Sequence, residues 1–197
     1  MQEDPGRVKL AKNADEQMNF PIDRKKATQA VARLIEKSGG PMDYLRLSKL
    51  IYLADRESIR LRGIPIVGGR YYSMRQGPVI GEVMHFVGAR NAPGWSKTIS
   101  PRYGNEIRLE KAPEFGALSQ TELEILDETL RRHSSRTTDE LVDWCHKHCA
   151  EYEHVTGRGR KAIRVESILK AVGKNAAKIR ALVQEAESLA ELDHLLT

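Results

Sequence analysis

Apolar residues recur along most of this chain at the three- and four-residue spacing that gathers side chains onto one face of a helix. The densest stretch is 43–62, where Leu47, Leu50, Ile51, Ala54, Ser58 and Leu61 form a stripe in which only Ser58 is not apolar. Arg46, Lys49, Asp55, Arg56, Glu57, Arg60 and Arg62 fall between these positions and are expected to face water. Gly63 can end this helix by taking a positive φ. Before it, Asp23 can cap a helix running through Ala27, Ala30, Val31, Leu34 and Ile35, stopped by Ser38-Gly39-Gly40-Pro41. After it, Pro78 suits the first turn of a helix over 79–90, because its missing N–H would have no partner there. Ser119 with Glu122, and Thr137 with Glu140, have capping-box spacing and predict helices over 119–133 and 141–149. A short helix follows over 163–172, ended by Gly173. Asn175 can cap a last one carrying Ile179, Leu182, Val183, Ala186, Leu189, Ala190 and Leu192 on one side.

The remaining pattern is extended or irregular. Residues 95–100 and 106–109 flank a turn-rich segment and predict a β-hairpin, with 70–74 offered as its third strand. Residues 152–161, with Gly157 and Gly159 spacing basic side chains, read as an exposed loop. The fold class is therefore mainly α (α+β), a single helical domain of about seven helices with a small two- or three-stranded antiparallel sheet. Residues 1–20 are polar and aperiodic and read as a flexible arm. The domain is assigned to 21–174, and 175–197 to an amphipathic helix that packs on the domain or on a partner.

Length and composition agree with that picture: 197 residues, 40% hydrophobic and 30% charged, describe one globular domain with a core. No apolar run approaches the ~20 residues of a membrane span, and the N-terminus lacks a secretory apolar region, so the expected location is the cytoplasm. The formal charge of +5 admits an acidic protein partner or nucleic acid. A nucleic-acid-binding regulator using a basic loop or helix is the alternative function on this ground.

Candidate chemistry is sparse. Cys145, His146, His148, Cys149 and His154, with His133 upstream, are the nearest approach to a metal site. However, Leu141, Trp144, Cys145, His148 and Cys149 fall at core-stripe spacing, where cysteine acts as a small apolar residue. A Cys145–His148 nucleophile pair lacks any accompanying oxyanion-forming turn. Gly68-Gly69 and Gly157-Arg158-Gly159 match no phosphate-binding loop. The sequence thus predicts no enzyme, no metal and no cofactor. Tyr71 and Tyr72, adjacent on an extended segment, must face opposite sides, and tyrosine and arginine are favoured at interfaces. Tyr71, Tyr72, Arg75 and Gln76, with Arg158 and Arg160 on the glycine-spaced loop, are the candidate partner-binding residues.

Lys49-Leu50-Ile51-Tyr52-Leu53-Ala54-Asp55-Arg56, Gly63-Ile64-Pro65-Ile66, Tyr71-Tyr72 and Gln76-Gly77-Pro78-Val79 with Glu82-Val83, in this order and spacing, resemble the Panacea domain, the SocA-like antitoxin domain of bacterial toxin–antitoxin operons. The resemblance extends more weakly over 26–173, with Leu141 to Lys147 as a second, poorer match. It implies a small, mostly helical domain with a short sheet that binds and neutralises a cognate toxin protein. Within the family it also implies, as a variant, delivery of the toxin to a protease such as an AAA+ protease. It transfers no residue-level contact motif.

Overall fold

Eight apolar residues between 45 and 59 point to all sides of the central helix, which is what a helix enclosed by its neighbours requires. In the computed structural model, which describes residues 20–88, 95, 97–100, 103–112, 114–179, 181, 182 and 184, that helix is α2 (Tyr44–Arg62). The helix is capped by Asp43, whose carboxylate accepts from the Arg46 N–H at 2.9 Å, and it closes at Gly63 with φ +85°. Leu47, Leu50, Ile51, Tyr52 and Ile59 are completely enclosed, each worth about 2 kcal/mol of transfer free energy.

Helix α1 (Arg24–Lys37), capped by Asp23, lays Ala27, Ala30, Val31, Leu34 and Ile35 against this core. Helices α4 (Gln120–Arg132) and α5 (Thr138–His148) both open on complete capping boxes, at Ser119/Glu122 and Thr137/Glu140. Glu122 also accepts from Lys26 (2.8 Å) and Arg62 (3.0 Å), tying α1, α2 and α4 together. Burial works to raise its carboxyl, but Lys26, the Ser119 N–H and Arg62 together hold it down at about 2. Helix α6 (Val165–Ala171) and a seventh, opened by Asn175 at residue 176, complete the helical set; Leu182 of the latter packs on Gly63.

Two small antiparallel sheets accompany the helices. Strand β1 (Met42–Asp43) pairs with β4 (Glu106–Ile107) in the register Met42↔Ile107, and isolated bridges Ile99↔Leu109 and Tyr103↔Glu106 join the hairpin expected there. The second sheet has the order β3-β2-β5, from β3 (Gly77–Ile80), β2 (Tyr71–Met74) and β5 (Arg160–Ile163).

The structure corrects several expectations. Residues 70–74 join a different sheet from the 95–109 segment, whose strand β4 pairs with β1 in a two-stranded sheet. Pro78 opens no helix. It lies in β3, an edge strand, where its missing N–H costs no ladder bond, and helix α3 (Gly81–Gly88) begins only after it. The 152–161 loop ends in strand β5, and the following helix starts at Val165, since Ile163 is needed in the core opposite Tyr71. Leu61, assigned to the core stripe, is 52% exposed, while Lys49 and Asp55, assigned to solvent, are 0% exposed. The reason is that α2 is covered on most of its circumference and not along one stripe. The 1–20 arm, apart from Phe20, and the far part of the 175–197 stripe (Val183, Ala186, Leu189, Ala190 and Leu192) lie outside the described residues.

Candidate partner-binding site

The sheet β3-β2-β5 is held from beneath by two charged side chains of α2. Asp55 accepts from the N–H groups of Ile66, Val67 and Gly68 at 2.9–3.0 Å and from the Tyr71 hydroxyl at 2.9 Å. These four donors fix both the 66–68 loop and the start of β2. Burial outweighs the hydrogen bonds and pushes the Asp55 carboxyl up to about 6, and burial with the neighbouring carboxylate drives the Tyr71 hydroxyl well above its ordinary value. Lys49 donates to the carbonyl of Pro78 at 2.9 Å. Its amine is pulled down to about 8 by burial, with no carboxylate among the groups that act on it. His146 Nε2, buried and without a hydrogen-bond partner among the described residues, lies with Lys49 Nζ about where a Gly77 side chain would begin, at 3.4 and 3.3 Å.

Alternation along β2 then sorts the side chains. Tyr71 and Ser73 face inward and are buried, whereas Tyr72 and Met74 face outward and are only half-buried. Tyr71, buried and donating to Asp55, fixes the position of the strand. The pairing Met74↔Arg160 and Tyr72↔Ala162 brings the glycine-spaced loop alongside β2, and the Arg160 guanidinium sits 4.6 Å above the Tyr72 ring. Arg75 and Gln76 form the two-residue loop of the β2–β3 hairpin and are exposed, as is Arg158.

Two cavities flank this face. One, of about 220 Å³, is lined by Tyr44, Lys49, Met74, Arg75, Gln76 and Arg158 among others. The second, of about 340 Å³, lies between α3 and the sheet and includes Arg24, Arg70, Tyr72, Glu82, His85 and Arg160. In it Glu82 accepts from the Arg70 N–H (2.9 Å) and guanidinium (2.7 Å); burial works to raise its carboxyl, but these donors hold it below its usual range. Arg24 covers the Phe86 ring at 5.2 Å. The surface is thus aromatic, half-buried and predominantly cationic. Five of the six candidate residues come together here, from parts of the chain more than eighty positions apart.

Residues of the cysteine and histidine cluster make packing contacts with one another and with neighbouring rings. Cys145 and Cys149 are buried free thiols. Their mutual hydrogen bond, with burial, pushes the Cys149 thiol up. His148 stacks on Trp144 at 4.6 Å and His146 on Tyr152 at 4.7 Å. Among the described residues no group of three or more His, Cys, Asp or Glu is arranged to hold a metal ion.

The family model described as antitoxin SocA-like, Panacea domain, matches residues 47–151. The chain belongs to this Panacea domain family. The match takes in α2, the β2–β3 hairpin, α3, α4 and α5 and ends at Glu151, whose buried carboxylate accepts from Tyr52 and Arg56 of α2. Its end falls short of β5, so Arg158 and Arg160 lie beyond the matched span. Comparison with curated proteins and with solved structures found no match. Among the described residues no helix is long and apolar enough to cross a membrane.

Asp55 and Lys49 were missed as site-shaping residues. The signal was present in the number of apolar residues surrounding them in sequence, which leaves α2 little polar circumference.

Proposed function

We propose that this Panacea-domain antitoxin neutralises its toxin by direct binding, and that the toxin sits on the outward face formed by Tyr72, Arg75, Gln76, Arg158 and Arg160. The observation that carries this reading is the β2–β5 pairing, which assembles an aromatic and arginine surface over a rigid, Asp55-anchored strand. Affinity would rest on Tyr72 and the arginines as anchors, and the excess positive charge would speed encounter with an acidic partner. Delivery to a protease is compatible with the same contact, because one face of the domain would hold the toxin and leave the others accessible.

The test is co-expression with the protein encoded by the neighbouring reading frame. Growth should be restored, and the two proteins should copurify at a fixed ratio. If that protein is harmless alone, or stays lethal beside this chain, the reading fails. The basic run 158–164 makes nucleic-acid binding the competing outcome. It would appear as binding to duplex that weakens steeply with salt through counterion release.

A further inference from the structure

The hydrogen-bond phase of the three-stranded sheet leaves one edge open. In an antiparallel ladder each residue sends its N–H and its C=O to the same neighbour, and successive residues alternate sides. The carbonyl of Arg70 accepts from the Gly81 N–H at 2.8 Å, and Met74 and Gly77 close the two-residue hairpin loop. Arg70, Tyr72 and Met74 therefore serve β3, and Tyr71 and Ser73 serve β5 through Ile163 and Lys161. Arg160 and Ala162 are left with their N–H and C=O directed away from β2. Strand β5 ends the strand order, its residues 160–162 are exposed, and among the described residues no hydrogen bond meets these outward groups.

We propose that this edge accepts an extended, acidic segment of the toxin as a fourth strand. The proposal rests on the toxin-binding reading above and deepens it. Backbone pairing supplies a docking template that any extended segment can use, so selection falls to side chains. Here these are Arg158, Arg160, Lys161 and Arg164, four cations in seven positions; Lys161 pairs with Glu153 at 3.1 Å, Arg160 lies over the Tyr72 ring, and Arg158 and Arg164 make no ion pair among the described residues. The same charge opposes edge-to-edge pairing with a second copy of this chain, since like charges directly opposite destabilise a strand pair. An added strand would also extend the outer face beside Arg160 and Tyr72, making one continuous contact with the proposed anchors.

Hydrogen exchange on the full chain, alone and with the purified protein from the neighbouring reading frame, tests this. In the free chain the amides of Arg160 and Ala162 should exchange rapidly while those of Lys161 and Ile163 are protected. On complex formation the first two should slow at least tenfold. Ala162→Pro removes an outward N–H without touching the ladder and should weaken the complex about tenfold, whereas Ala162→Thr should not. Slow exchange at 160 and 162 in the free chain would mean that the edge is already covered by this chain or by a second copy, and would overturn the proposal. A complex that leaves both amides unchanged overturns it too while leaving the toxin-binding reading intact. Failure of the unsubstituted chain to bind at all defeats both. Should Ala162→Pro unfold, the exchange comparison on the unsubstituted chain decides.

Discussion

Asp55 is the side chain that anchors β2 and the 66–68 loop beneath the proposed binding face. It is fully enclosed and satisfies three backbone donors that nothing else among the described residues satisfies. Asp55→Ala should destabilise the fold by about 3–5 kcal/mol, because three buried N–H groups and the Tyr71 hydroxyl lose their acceptor together. Tyr71→Phe should cost only about 1 kcal/mol, since the carboxylate keeps three partners. Urea unfolding of both variants measures the contrast, and equal losses would refute the assignment of Asp55 as the anchor. Lys49 behaves oppositely. Its folded pKa is depressed from 10.5 to about 8, so its contribution is fully present only above 10.5 and is lost as pH falls through 8. At pH 7 the buried ammonium is a cost, partly offset by the bond to Pro78. Lys49→Met should therefore be neutral, or more stable by up to about 2 kcal/mol, at pH 7, with the advantage shrinking towards pH 10. Unfolding midpoints across that range check the sign, and a growing advantage would contradict it.

At the scale of elements, the junction of β3 and α3 controls the half-buried Tyr72. A Cβ at Gly81 would meet the Tyr72 ring at 2.6 Å, and the glycine's backbone is not in the left-handed region. Gly81→Ala should thus fold, displace the ring from Arg160, and weaken toxin binding several-fold with a small change in melting temperature. Wild-type affinity in this variant would argue that Tyr72 is no anchor. Helices were the legible part of the sequence, because Asp23, Ser119, Thr137 and Asn175 announce their ends by local chemistry and the apolar spacing does the rest. The three-stranded sheet was not legible. Its strands are four residues long, β5 carries one buried side chain, and its partner is fixed by a pairing across more than eighty residues. Pro78 gave a correct local signal, a missing N–H, that two different environments satisfy equally. Tyr71 and Tyr72 were legible as a pair split between two faces, but only the inward acceptor, Asp55, decides which one is inside.

For the whole molecule, the proposed toxin site is one face and not the general positive charge. Isothermal titration with the purified protein of the neighbouring reading frame compares three forms of the chain. They are the unsubstituted chain, Tyr72→Ala/Arg160→Glu, and Arg131→Glu/Arg132→Glu on the exposed end of α4. The first double variant removes an aromatic–arginine pair at the proposed site, and the second lowers net charge further on a different element, α4, where the two arginines pair with Glu128 and Glu57. The first should lose affinity about a hundredfold or more, as interface anchors do, and the second should change only a few-fold, as rim charges do. Equal losses in the two, or an unchanged affinity in the first, would contradict it.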